Sequence, residues 1–329
     1  MRTHRVPIDL TVADRTVACV VVTMNRPDLL SRCLHAVASQ IRRPDLLVVV
    51  DNGDDPVAEA MLAASPLRTV YLPSRRNLGG AGGYAHGVLT AVALGADWVW
   101  LADDDGYPAD EWTLSRLLVC AAENELDVVS PLVLDEDDPT RLAFPLRRGL
   151  TWLTRREQVT ARTLVRGTAN LFNGTLMSAH AVHAVGVPDP RLFVRGDEVE
   201  MHRRVRRSGI GFGTCVAAAY LHPQGRDDWQ PILAGHLQVL VPRDPSRRET
   251  TFRNLGFLTA QRGLRWRRLP DSARYAWWYL VHERDVGGWR EWSRLSAQGR
   301  SERFPAVPHD PRTDAVAEPV AEHVPEPVP

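Results

Sequence analysis

The chain has 329 residues (36.7 kDa), of which 44% are hydrophobic and 24% charged, and its 40 basic residues balance 40 acidic ones. Such values suit a soluble protein with one large α/β domain or two smaller ones, and the charge balance gives no bulk field to hold a nucleic acid. No apolar run reaches the about eighteen residues a spanning helix needs, and the opening Met1 to Pro7 leads into no long apolar stretch or small-residue cleavage site, so it does not read as a secretory signal.

Residues 17–22 are an apolar, β-branched run of the kind buried on both faces of a sheet. Pro27 then opens a stretch, 28–40, with Leu29, Leu30, Leu34, Val37 and Ala38 at helical spacing. Residues 46–50 read as a second buried strand that stops at the turn Asp51, Asn52, Gly53. A third strand is expected at 69–72, a helix at 80–94 and a fourth strand at 98–101. Strands alternating with helices imply an α/β fold, a mostly parallel sheet with helices on both faces. Beyond Asp105 the periodicity loosens. A helix is expected at 112–124, a short strand at 128–129, a strand at 173–177 leading into a helix at 178–185, and a helix at 198–208 closed by Gly209. Residues 135–168 are polar, Arg-rich and weakly periodic, and 216–220 form an apolar run ending at His222.

Residues 251–303 change character, holding five of the ten tryptophans and eleven arginines against five acids. Trp with Arg suits a lipid headgroup region, while an ordinary helical subdomain or a contact between copies would bury the same tryptophans. Residues 304–329 carry seven prolines and no periodicity and read as a disordered tail. The expected organisation is thus an N-terminal segment 1–15, a domain 16–250, a helical region 251–303 and the tail. Cys19, Cys33, Cys120 and Cys215 lie among apolar neighbours without metal-type spacing, as buried thiols of a reducing cytoplasm do. Every basic residue is arginine, which reads as the codon usage of a GC-rich genome rather than widespread phosphate binding, and with no lysine a Walker loop is excluded.

Four constellations carry chemistry. Asp103, Asp104 and Asp105 follow directly on the apolar run that ends at Ala102. Ligands of open α/β sheets bind outside the carboxyl ends of strands, and adjacent carboxylates repel unless a hard cation relieves them. Asp103 and Asp105 are two apart and point the same way in an extended segment, so they can hold Mg²⁺ or Mn²⁺ with diphosphate oxygens; the plainer reading is a solvated acidic turn. Asn77, Gly79, Gly80, Gly82 and Gly83 form a Gly-rich turn before a helix, where backbone can approach an anion, although such a turn alone is weak evidence. Asp197 and Glu200 have capping-box spacing with Asp197 as N-cap, which leaves Glu198 at the first helical position, free to take a proton from a hydroxyl nucleophile; either acid is a candidate base. His222, between an apolar strand and Pro223, is either structural or a further metal ligand.

In this order the pieces resemble the family 2 nucleotide-sugar glycosyltransferases of the GT-A fold, from about Val17 to Pro223. The resemblance includes Thr23 and Arg26 after the first strand, Asp51, Asn77 to Gly80, the D-x-D pair Asp103 and Asp105, Asn173 and Gly174, the segment from Leu192 to Glu200, and His222. The segments 74–83, 95–106 and 138–150, with 209–220 and the Trp- and Arg-rich region, look like the actinobacterial cell-wall galactofuranosyltransferases of that family.

The resemblance implies UDP-galactofuranose as donor and a polyprenyl-diphosphate-linked GlcNAc-rhamnose acceptor at the cytoplasmic membrane face, receiving two galactofuranose residues with inversion. It implies a nucleotide pocket of Thr23, Arg26 and Asp51, with Asp51 bonded to uracil, and with Asn77, Gly79, Gly80 and Asp104 near the donor. It implies Mn²⁺ or Mg²⁺ on Asp103, Asp105 and His222. Glu198 stands where the family usually has an aspartate base, which keeps Asp197 in play. It also implies a peripheral membrane protein of the cytoplasmic side, membrane surface or homo-oligomer as partner, and no nucleic acid. A rhamnosyltransferase using a dTDP sugar and a non-catalytic nucleotide-sugar-binding protein are the competing readings.

Overall fold

The computed structural model describes residues 15–148, 151–223 and 228–305; the expected N-terminal segment, apart from Arg15, and the tail beyond residue 305 lie outside them. Every residue of strand β1 (Val17–Thr23) is buried because alternate side chains enter two different cores. Val17, Cys19 and Val21 face helix α1 (Pro27–Ala38), while Ala18, Val20 and Val22 face the opposite layer. Strand β2 (Leu46–Asp51) follows, then α2 (Pro56–Ala63), β3 (Thr69–Pro73), α3 (Gly79–Ala93) and β4 (Trp98–Asp103). Helices α1 and α2 cover one face and α3 the other. The parallel order β3-β2-β1-β4 therefore reverses its winding between β1 and β4, which opens the crevice where α/β sheets take ligands.

The remaining strands make the sheet mixed. They are β5 (Tyr107–Pro108), β6 (Val128–Asp135), β7 (Arg141–Arg148), β8 (Thr151–Arg155), β9 (Leu164–Arg166), β10 (Thr175–Ser178) and β11 (Phe212–His222), with helices α4 (Thr113–Asn124), α5 (Ala179–Val185) and α6 (Asp197–Ser208) among them. Strand β10 inserts antiparallel between β4 and β6, β6 and β11 are parallel, and β5 and β9 pair antiparallel with β11. The expected short strand at 128–129 extends to Asp135, and the weakly periodic stretch 135–168 contains three strands, β7, β8 and β9. Their alternation is hard to see because β8 leaves residues exposed on both sides and β9 is only three residues long.

A hairpin, β12 (Trp229–Ile232) and β13 (Leu237–Leu240), leads to α7 (Pro245–Ala260), α8 (Arg268–Ala276), a π-helical turn at Trp277–His282 and α9 (Val286–Arg300). These elements share a second core of Ile232, Val239, Phe252, Tyr275, Trp278, Tyr279, Trp292 and Leu295, with Trp277 and Trp289 packed against it. Four of the five tryptophans of this region are thus core or core-edge residues, and Trp266 stays exposed. Among the described residues no helix is long and apolar enough to cross a membrane. All four cysteines are buried and unpaired in disulfides.

Candidate active site

Strand β4 pairs with β1 through Val22 and Asp103, while β5 pairs with β11 through Tyr107 and Leu221. Only residues 104–106 join the two pairings, so the acidic segment must run across to the end of β11, where His222 stands. Gly106 allows this passage: a Cβ there would lie 2.5 Å from the Tyr220 ring and 3.2 Å from Cδ2 of His222. One donor atom each from Asp103, Asp105 and His222 comes within 4.8 Å of the others.

The acidic segment alternates as an extended chain should. Asp103 and Asp105 are half-buried and turn toward His222, while Asp104 is 1% exposed and turns the other way. Asp104 accepts from Thr23 Oγ1 at 2.8 Å and pairs with Arg26 at 2.6 Å, and Arg26 also reaches Asp105 at 3.1 Å. Thr23 and Arg26 therefore anchor the acidic segment from β1. Burial, reinforced by the neighbouring carboxylates, raises Asp103 to about 7. Burial likewise lifts Asp104 to about 6 against the pull of Arg26. Burial acts on Asp105 too, but His222 and Arg26 outweigh it and hold that carboxyl below its ordinary value.

The donor set fits a divalent cation. Nδ1 of His222 lies 2.6 Å from the Pro223 carbonyl, which fixes the proton on that nitrogen and turns Nε2 toward Asp105, 3.1 Å away. Oδ1 of Asp105 is buried yet takes no aligned hydrogen bond. Burial disfavours charge on His222, but the Asp105 contact prevails and its affinity for a proton rises. The two carboxylates thus draw positive charge onto Nε2, and two hard oxygen donors with one imidazole suit Mg²⁺ or Mn²⁺.

Asp51 is fully buried. Its carboxylate accepts from the Gly53 and Asp55 amides at 2.8 and 2.7 Å and from Tyr71 Oη at 2.9 Å, so it builds the loop after β2. Its neighbour Asn52, which sequence reasoning passed over as a turn residue, ties that loop to the Gly-rich turn. Asn52 donates to the Gly79 carbonyl and accepts from the Leu78 amide, both at 3.2 Å. Within the Gly-rich turn the glycines divide by task. Asn77 accepts from the Gly79 amide at 2.8 Å, and Gly79 has φ +67° with its Cα against the Phe193 carbonyl. Gly83 and Gly87 let α3 settle on Val22, Val20 and Val50, whereas a Cβ on Gly80 meets nothing. Of these four, only Gly80 at the first turn of α3 leaves open space for a ligand to approach.

The expected capping box is not formed. The N-cap of α6 is Gly196, with φ +95°, so Asp197 is the first helical residue and Glu198 the second. Glu200 pairs with Arg203 at 2.9 Å and Arg204 at 2.8 Å instead of reaching back to the helix start. The chain enters this helix through a left-handed turn, a backbone state that residue types alone did not disclose. The side chain of Asp197 is buried at the helix terminus, and burial raises its carboxyl to about 6, with the backbone of the first helical turn acting in the opposite sense. Glu198 Oε1 accepts from the Leu171 amide at 3.0 Å. Burial raises Glu198 to about 7. Leu171 lies three residues before Gly174, whose amide donates to the Leu101 carbonyl of β4 at 2.8 Å, so the Leu171 bond sets the acid near the carboxyl end of β4.

Residues 18–180 match the family model described as Glycosyl transferase family 2. Over 297 residues the chain is 55% identical to galactofuranosyltransferase GlfT1 of Mycolicibacterium smegmatis, covering 88% of this chain and 97% of that protein. GlfT1 of Mycobacterium tuberculosis is 53% identical over 295 residues, with the same coverage. Among solved structures, S. aureus TarS 1-349 is similar at TM-score 0.55 and 12% identity, over 88% of this chain and 82% of that one. GalNAc-T7 with UDP, GalNAc and Mn²⁺ is similar at TM-score 0.51 and 14% identity, over 74% of this chain and 47% of that one. Both likenesses concern the fold. The chain belongs to glycosyl transferase family 2 and, within it, to the group of the GlfT1 galactofuranosyltransferases; it is a glycosyltransferase of the GT-A fold.

Proposed function

We propose that the chain transfers galactofuranose from UDP-galactofuranose to the rhamnose of a polyprenyl-diphosphate-linked GlcNAc-rhamnose, then adds a second galactofuranose to the first, inverting the anomeric centre. The donor and acceptor rest on the identity to galactofuranosyltransferases over most of the chain. The observation that carries the chemistry is the convergence of Asp103, Asp105 and His222 at the β1/β4 crevice, with Glu198 tied to Leu171 near the carboxyl end of β4.

Asp103, Asp105 and His222 would hold a divalent cation, Mn²⁺ or Mg²⁺, which when bound would neutralise charge on the departing diphosphate. Asp104, Thr23 and Arg26 hold the acidic pair in place, and Arg26 adds positive charge beside it. The loop built by Asp51 and the turn of Asn77, Gly79 and Gly80 border the nucleotide and its phosphates. Glu198 takes the proton of the acceptor hydroxyl as that oxygen bonds to the anomeric carbon, while the bond to UDP breaks and its electron pair leaves with the diphosphate. With base and leaving group on opposite sides of the carbon, one in-line displacement gives a β-galactofuranoside. Asp197 is the second candidate for base.

The lipid-linked acceptor calls for a membrane surface at the cytoplasmic face, and the exposed Trp266 and Leu269 among Arg262, Arg265 and Arg268 support docking there. Purified protein incubated with UDP-galactofuranose and a synthetic rhamnosyl-GlcNAc lipid tests the reading. Mass and linkage analysis should show one and then two β-linked galactofuranose additions; transfer from dTDP-rhamnose alone would assign the chain to a different donor.

A further inference from the structure

Asn254 lies on α7, outside the residues matched by the family model, and is 1% exposed. Its Nδ2 is 2.6 Å from the Leu192 carbonyl oxygen, 2.7 Å from that of Arg195 and 3.2 Å from that of Val194. Two N–H groups thus serve three carbonyls of one turn. Oδ1 of Asn254 has no partner, and flipping the amide would set that oxygen against the same three carbonyls, so the orientation is determined.

The turn is one that needs holding. Phe193, Arg195 and Gly196 have φ of 55°, 66° and 95°, left-handed conformations that non-glycine residues adopt only under outside constraint. It is gripped on the other side as well: the Phe193 carbonyl accepts from the Ala81 amide at 3.0 Å, at the start of α3. Arg195 adds a side-chain tie to Asp228 at 2.5 Å. The turn ends at Asp197 and Glu198, the first two residues of α6. Its geometry therefore sets the start of α6 and with it the position of the Glu198 carboxylate.

We propose that Asn254 is a positioning residue for transfer: its amide locks the 192–196 turn and so aims Glu198 at the acceptor hydroxyl. This rests on Glu198 being the base. The effect is expected in the reacting geometry rather than in donor affinity, because Asn254 holds the Leu192, Val194 and Arg195 carbonyls, whereas the turn meets the Gly-rich segment through the Phe193 carbonyl, which the Ala81 amide holds independently.

The test compares wild type with Asn254→Asp, nearly isosteric but without the amide donors, and Asn254→Ser, which keeps one O–H. Each is measured for thermal midpoint, donor KM and kcat, with Glu198→Gln alongside. The expected result for Asn254→Asp is a folded protein with donor KM near wild type and kcat lowered ~100-fold, the penalty of a reacting group displaced by about 1 Å. Asn254→Ser should recover part of that loss. A folded variant with wild-type kcat, a loss carried by donor KM, or failure of both variants to fold overturns the proposal, the last because Asn254 is then only a core support. Near-normal turnover by Glu198→Gln removes the base assignment itself, whatever Asn254 does.

Discussion

Glu198 is buried enough to resist ionisation yet bonded to a single backbone amide, a combination that raises its proton affinity without neutralising it by a cation. Replacing it with Gln should lower transfer by about 10²- to 10⁴-fold, the usual worth of a general base, while UDP binding measured calorimetrically is retained. A base with a value near 7 also sets a pH profile: the rate should fall about tenfold per unit as pH drops below 7, and a flat profile between pH 5 and 8 would contradict the assignment. Stability should move the other way. A raised carboxyl binds its proton more readily folded than unfolded, so the stability it contributes is present at low pH and is lost as pH rises through about 7. Glu198→Gln should therefore raise the melting temperature more at pH 8 than at pH 5. For the candidate metal ligands, Asp105→Asn and His222→Ala should each weaken Mn²⁺ binding measured by electron paramagnetic resonance. Asp104→Asn should weaken it only indirectly, since that carboxylate is spent on Thr23 and Arg26.

Helix α3 separates two uses of glycine within a few residues. A Cβ on Gly83 would stand 2.6 Å from Cγ1 of Val22, so Gly83→Ala should cost about 1–3 kcal/mol in denaturant titrations through overpacking against β1. A Cβ on Gly80 meets nothing, so Gly80→Ala should leave stability unchanged or slightly raised and instead weaken donor binding, seen as a higher KM. Equal behaviour of the two variants would remove the distinction. The Gly-rich character of this segment was legible in the sequence, but its division was not. Which glycine faces strand β1 and which faces the crevice depends on how α3 lies on the sheet. The N-terminus of α6 carries the same lesson. The acids at 197, 198 and 200 suggested a capping box, but the left-handed entry through Gly196 advanced the helix by one residue and gave Glu200 to Arg203 and Arg204.

At the scale of the whole molecule, α7 joins the catalytic domain to the C-terminal core. Its Asn254 touches the turn before α6, and its other face packs Phe252 into the aromatic cluster of Tyr275 and Tyr279. From within α7 onward, residues 250–270 contain no acid, and Trp266 and Leu269 are 65% and 80% exposed beside exposed Arg262, Arg265 and Arg268. The proposed docking would use that chemistry: a bilayer with anionic headgroups would complement the arginines, and Trp266 and Leu269 would enter the interface. Trp266→Ser combined with Leu269→Ser should reduce co-sedimentation with anionic vesicles several-fold and leave transfer to a water-soluble acceptor intact. Unchanged sedimentation would defeat docking through this stretch.

Local sequence by itself determined the first four strands, the positions of most helices and the acidic end of β4, because apolar runs, helical spacing and a charged strand terminus are short-range signals. It also singled out Glu198 and His222 as isolated residues in suggestive settings. Only the tertiary structure decided that His222 meets Asp103 and Asp105, that Asp51 and Asp104 turn inward, and that Asn254 grips the turn before Glu198. Those facts follow from strand pairing and helix docking between residues distant along the chain, where no local periodicity records which side chains will meet.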